Sequence, residues 1–146
     1  MLSMLFLLIE RTMVLNIEEK NLYPAHENKK TNAVQSVKEH CKNTSELCRQ
    51  FSIPALKDFL AVVGILHDIG KYQESFRKRF WGAPINVEHS TCGAIEAMQL
   101  YENFCGLLMA YCIAGHHSGI PNGGFPNDTA DMSTLSGRLK RKFDDV

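Results

Sequence analysis

The sequence predicts an all-α fold, a compact bundle of helices, on three observations. Apolar residues recur at helical rather than alternating spacing. Strand signals are nearly absent. One segment, residues 55–69, is apolar nearly all round, as a central helix must be.

The first helix is expected over residues 31–51. Its stripe is Ala33, Val37, His40, Thr44, Leu47 and Phe51, which puts His40 in the middle of the buried face. Pro54 opens the second helix, residues 55–69, whose stripe Leu56, Leu60, Val63 ends in His67, also pointing inward. Gly64 sits inside it at a cost of about 1 kcal/mol against alanine, tolerable where something must approach closely. A third helix starts after Ser90 as N-cap and carries Ala94, Ala97, Met98 and Tyr101. A fourth, residues 104–114, carries Leu107, Leu108 and Tyr111 and delivers His116 and His117 at its end. "SGIPNGGFPND" is a glycine- and proline-rich loop, and "STLSGRLKRKFDDV" begins a further helix.

With 146 residues, 45% hydrophobic and 22% charged, the chain reads as one globular domain. Basic and acidic residues balance at 16 each, so affinity for nucleic acid has to come from local patches. The opening "MLSMLFLLIE" lacks the charged start and small-residue cleavage site of a signal peptide. It is also far short of the roughly 20 apolar residues of a membrane span. Residues 1–16 read as an N-terminal extension, with the domain over 17–146. Cys41, Cys48, Cys92, Cys105 and Cys112 form no CxxC pair and read as small core residues in a reducing cytoplasm.

"GILHDIGK" places His67 and Asp68 where apolar core should continue. An ionised carboxylate buried without a partner costs several kcal/mol, and a metal ion would remove that cost. A lone histidine on an apolar face is more often a hydrogen-bonded core residue than a ligand. Here His40 and His67 face inward from two helices, His89 precedes a third, and His116 and His117 end a fourth. Such positions bring neutral imidazoles to one point, as a metal centre requires. His26, in "YPAHE", falls outside this pattern and reads as a non-ligand.

The segments "EHCKNTSELC", "GILHDIGKYQESF", "VEHSTCGA" and "AGHHSGIPNGG", in this order, resemble the HD nuclease domain of the type I CRISPR-associated helicase-nuclease, within the HD metallophosphohydrolase superfamily. The resemblance covers most of the chain from about Tyr23. It implies an HD-domain helical bundle, metal-dependent cleavage of single-stranded DNA, a helicase portion and an RNA-guided effector complex as partners, and cytoplasmic antiviral defence. It also implies a dinuclear centre, with His40, His67 and Asp68 on one metal and Asp68, His89, His116 and His117 on the other. The family adds a late aspartate to the first metal. Asp128, Asp131, Asp144 and Asp145 stand too early or in the wrong context, so the chain reads as C-terminally incomplete.

An imidazole-rich set favours Mn, Ni, Co, Fe or Zn over Mg for the two divalent ions. Lys71, one turn beyond His67, is the expected contact to a phosphate oxygen and, with Asp68, the expected catalytic pair. Ser90 and Ser118 could support ligands by hydrogen bonds, though cap and turn roles explain them equally well. "KYQESFRKRFW" interleaves Arg77, Lys78 and Arg79 with aromatics, as a single-strand groove does. Trp81 is the stacking candidate, while Phe76 and Phe80 read as packing. "GRLKRK" reads as a solvated helix face. Two further functions compete: a cyclic-dinucleotide phosphodiesterase of the HD-GYP kind, although the GYP triplet is missing, and an inactive module that acts in binding or assembly.

Overall fold

A computed structural model describes residues 22–143. The N-terminal extension, residues 1–16, and Asp144 and Asp145 lie outside the described residues. The described fold is mostly helical but not all-α. It opens with an antiparallel hairpin of β1 (Pro24–Asn28) and β2 (Ala33–Ser36). Six helices follow: α1 (Val37–Phe51), α2 (Lys57–Leu66), α3 (Glu74–Phe80), α4 (Ser90–Leu100), α5 (Phe104–Gly115) and α6 (Leu135–Arg138).

The hairpin's turn and β2 replace residues 31–36 of the expected first helix. Its turn is closed by Lys30 N–H donating to Asn28 Oδ1 at 2.9 Å and Asn32 N–H to Asn28 O at 2.7 Å. Asn32 takes a left-handed φ of 56°, which asparagine tolerates. Pairing steps from Pro24↔Ser36 to His26↔Gln35, so Ala25 is an extra residue in β1, a bulge. α1 starts at Val37 because Ser36 Oγ accepts from Glu39 N–H at 3.1 Å, a helix-initiating cap. Its buried row is Val37, Cys41 and Ser45, one step round from the expected stripe, and Leu47 and Phe51 face solvent.

α2 runs beside α1, and the two backbones nearly touch at Gly64. A Cβ there would stand 2.8 Å from Ser45 Cα, so the close approach expected of this glycine is made by the neighbouring helix. A 3-10 turn, Pro54–Leu56, precedes α2. The expected helix over 55–69 ends at Leu66, and a second 3-10 turn, Ile69–Tyr72, follows Asp68. The tightening brings Gly70 against the His89 carbonyl so closely that a Cβ would collide with it. α4 and α5 bury small faces against α2: Leu66, Ala94, Ala97, Met109, Ala110, Ile113, Ala114 and Leu135 form the main core. Burying one such large aliphatic side chain contributes about 1.5–3 kcal/mol. Tyr23, Ala25, Val37, Cys41 and Tyr72 form a smaller cluster between hairpin and α1.

All five cysteines are free. Cys41 and Cys92 are buried, and burial pushes both thiols up to about 12. Cys105 and Cys112 are exposed, which corrects their reading as core residues, because α5 turns that face to solvent. No described helix is long and apolar enough to cross a membrane.

Candidate metal centre

Asp68 is the hub. It sits between α2 and the following 3-10 turn, 2% exposed, and its two oxygens face two sets of imidazoles. Oδ2 lies 3.0 Å from His40 Nε2 and 3.3 Å from His67 Nε2. Oδ1 lies 3.2 Å from His89 Nε2 and 3.3 Å from His116 Nε2. Within each set the imidazoles also converge: His40 Nε2 is 3.0 Å from His67 Nε2, and His89 Nε2 is 2.8 Å from His117 Nε2. Donors bound at about 2.1 Å to one cation stand roughly 3.0–3.4 Å apart, so these spacings fit a metal in each set.

Two helix ends set the tautomers. His67 Nδ1–H donates to Gly64 O and His116 Nδ1–H to Ile113 O, each at 2.7 Å. A carbonyl only accepts, so in the neutral ring the proton is on Nδ1 and the Nε2 lone pair faces Asp68. Lone pairs aimed at a buried carboxylate repel it unless a proton or a cation lies between them. Asp68 Oδ1 is buried and has no hydrogen-bond partner among the described residues. An orphaned, anionic, buried oxygen ringed by imidazole nitrogens is chemistry that suits a divalent metal. Asp68, His89, His116 and His117 could hold one such ion.

Burial alone would raise the Asp68 carboxyl, but a proton carried on Nε2 of His116, His40, His67 or His89 and donated to it in place of a metal holds it well below the usual carboxylate range. Burial disfavours charge on His116 too, but the Asp68 carboxylate and Ile113 carbonyl outweigh it and raise its pKa. His117 is lowered by burial and by His116 and His89, so it stays neutral and competent to ligate.

Lys71, expected to contact a phosphate oxygen, is buried among these groups. Its Nζ is 2.8 Å from Asp68 Oδ2, 3.0 Å from His26 Nε2 and 3.4 Å from Ala25 O. The Phe76 ring lies 5.5 Å from the same ammonium and packs edge-on to His89, with centroids 5.3 Å apart. Phe76 is thus packing, as expected, and that packing walls the centre.

His26, read as a non-ligand, lies against the cluster. Its ring centroid is 4.5 Å from that of His40, and it groups with His40 and Asp68 as a second set of potential ligands. Burial, then Lys71 and His40, lowers its pKa to about 4. Of the late aspartates, Asp128 and Asp131 are described, and these two do not come to the centre. Asp128 Oδ2 accepts from Phe125 N–H at 3.1 Å and Thr134 Oγ1–H at 2.5 Å, and neither it nor Asp131 joins a ligand group.

Sequence reasoning also missed Glu88 and Arg138. Ser90 is the first residue inside α4 rather than its cap, and Glu88 Oε1 accepts from Ser90 Oγ–H at 2.6 Å and Thr91 N–H at 2.8 Å. Arg138 donates to Thr91 Oγ1 and Ser90 Oγ, each at 2.8 Å, and to Glu88 Oε1 at 3.3 Å. It is buried, which corrects the reading of "GRLKRK" as wholly solvated. This lattice anchors the residues on either side of His89.

Beside His89 and His117 opens a groove of about 790 Å³, also lined by Arg79, Ser118, Arg138 and Arg141. Trp81 is exposed at the end of α3. Arg77 pairs with Glu74 at 2.5 Å and Lys78 with the same carboxylate at 3.7 Å, so these two expected DNA contacts are partly neutralised. No protein-family model, curated protein or solved structure matches the chain.

Proposed function

We propose that the chain is an HD-type, metal-dependent nuclease that hydrolyses single-stranded DNA in CRISPR interference. The observation that carries this reading is Asp68: one buried carboxylate with a separate imidazole set on each oxygen. When bound, two divalent ions supply a water of lowered pKa and charge stabilisation for the phosphodiester oxygens. The chain's own residues do the rest. His40, His67, His89, His116 and His117, with Asp68 between the two sets, would hold the cations. Lys71 balances the Asp68 charge at Oδ2. The groove at His89 and His117 offers Arg79 to meet phosphates, while Arg141 is held by the Ala130 and Met132 carbonyls and by Glu88. In this reading a helicase portion and an RNA-guided effector complex deliver the unwound strand in the cytoplasm.

The test is hydrolysis by the Mn-loaded 146-residue chain of single-stranded DNA, duplex DNA and a cyclic dinucleotide. Faster cleavage of the single strand is expected. Preference for the cyclic dinucleotide would transfer the assignment to the HD-GYP kind of phosphodiesterase. Metal binding without hydrolysis of any of the three would favour a binding module.

A further inference from the structure

One imidazole in the cluster has no place in the six-residue ligand set. His26 reaches Asp68 from the hairpin, far in sequence from the helices that supply the other donors. Its Nε2 accepts from the Lys71 ammonium at 3.0 Å, and the same ammonium is 2.8 Å from Asp68 Oδ2. Lysine has donors only, so the His26 Nε2 lone pair points at that cation. A single cation already bridges His26 and the metal-facing oxygen of Asp68. The donors of His26, His40 and Asp68 lie within 4.8 Å of one another, a span that one metal can close when it takes the place of the Lys71 ammonium between His26 and Asp68.

The hairpin's geometry explains how His26 gets there. The extra residue Ala25 re-aims β1 beside its buried side chain, and bulges recur where a strand turns a side chain toward a site. Val37 N–H donates to Tyr23 O at 2.9 Å, so the base of β1 is tied to the start of the helix that carries His40.

We propose that His26 is a protein ligand of the metal held by His40, His67 and Asp68. The inference rests on the dinuclear reading above. It makes the hairpin part of the centre and gives that metal four protein ligands, three imidazoles and one carboxylate, without a late aspartate. Lys71 is the internal cation that keeps His26 and Asp68 together when no metal is bound.

The experiment is Co(II) titration of the 146-residue chain, read by calorimetry and by visible absorption, with paramagnetic NMR of the loaded forms. Wild type is expected to bind two ions. His26→Gln, which keeps an acceptor for Lys71, is expected to weaken one of them by about 100-fold, since losing even a ligand's supporting partner costs about 10–100-fold. It should also lose one strongly shifted imidazole N–H resonance. His117→Ala is expected to weaken the other ion, and the double variant both. Circular dichroism checks that each variant is folded, and the wild-type resonance count stands even if a variant is not. Two ions bound by His26→Gln with wild-type affinities and an unchanged resonance count would overturn the inference and leave the dinuclear reading intact. A wild-type chain that binds no Co(II) would overturn both.

Discussion

His67 and His116 are held by the same device on opposite oxygens of Asp68. Each ends a helix and donates Nδ1–H to the carbonyl three residues earlier at 2.7 Å. Each then turns Nε2 to Asp68, one at Oδ2 and the other at Oδ1, both at 3.3 Å. Two helix C-termini thus present lone pairs to one carboxylate from either side. Asp68→Asn keeps the shape and removes the charge both sets share. It is expected to drop bound Mn or Co from two ions to fewer than one per chain, measured by elemental analysis after gel filtration. Retention of both ions would rule out the bridging role.

Lys71 and Asp68 form a buried ion pair, with side chains 4% and 3% exposed. Removing one partner of such a pair costs about 3–5 kcal/mol, because the other charge stays buried and uncompensated. Lys71→Met is therefore expected to lower the Tm of the metal-free protein sharply. Added Mn or Zn should recover most of that loss, since a divalent ion on Asp68 takes over the compensation. A variant equally unstable with and without metal would show that Lys71 acts through packing on Phe76 instead.

His26 gives the metal-free protein a signed pH dependence. Its pKa is about 4 in the folded chain and 6.5 unfolded, so the unfolded state binds the proton more readily. The stability it contributes is full above pH 6.5 and is lost as pH falls toward 4. His116, raised, runs the other way: its contribution is full below its unfolded value and fades as pH rises through the folded one. Chemical denaturation at several pH values should show wild type losing stability between pH 6.5 and 4 more steeply than His26→Asn. Parallel curves for the two proteins would contradict the lowered pKa.

The helix ends that carry the centre were legible in the sequence because helical periodicity needs only local information. The buried row of α2 is Ala61, Gly64 and Leu66, one step round from the expected Leu56, Leu60 and Val63, and Leu56 is exposed, yet His67 still ends the helix beside Asp68. His26 was not legible. Its position beside His40 depends on a strand and a bulge, and "YPAHEN" carries no alternation strong enough to announce either. Ala33 continues the helical stripe from Val37, so β2, at Ala33–Ser36, falls within the span that periodicity predicts as helix. The pair Ser36 and Glu39 was the available signal, a cap that starts the helix at Val37. Arg138 was hidden for another reason: a basic run looks solvated unless its partner is known, and Glu88 lies fifty residues earlier.

Gly64 fixes how close α1 and α2 come, and so the spacing of His40 and His67. A Cβ at this position would sit 2.8 Å from both Ser45 Cα and Ser45 N, which are backbone atoms that cannot rotate away. Gly64→Ala gains about 1 kcal/mol of helix propensity. The forced shift of a packed helix pair costs about 1–3 kcal/mol, so the net change is expected to be destabilising. The affinity for the metal on the His40 side should fall, with the His89, His116 and His117 side less affected. Calorimetric titration resolves the two sites, and equal loss at both would indicate global loosening.

Arg79 lines the groove, and Trp81, two residues on, is 55% exposed at the end of α3. Neither belongs to the metal centre, so each is expected to bind ground state and transition state alike. Such contacts change KM and leave kcat alone. Stacking of one base on an aromatic ring is worth about 1–3 kcal/mol, which puts the KM increase for Trp81→Ala on single-stranded DNA at roughly 5- to 150-fold. Arg79→Ala should weaken binding uniformly across sequences and lower the slope of affinity against salt by about one, as the loss of one phosphate contact does. Steady-state kinetics at several salt concentrations measures both. A fall in kcat at constant KM for Trp81→Ala would mean that the residue orients the reacting phosphodiester rather than holding a base.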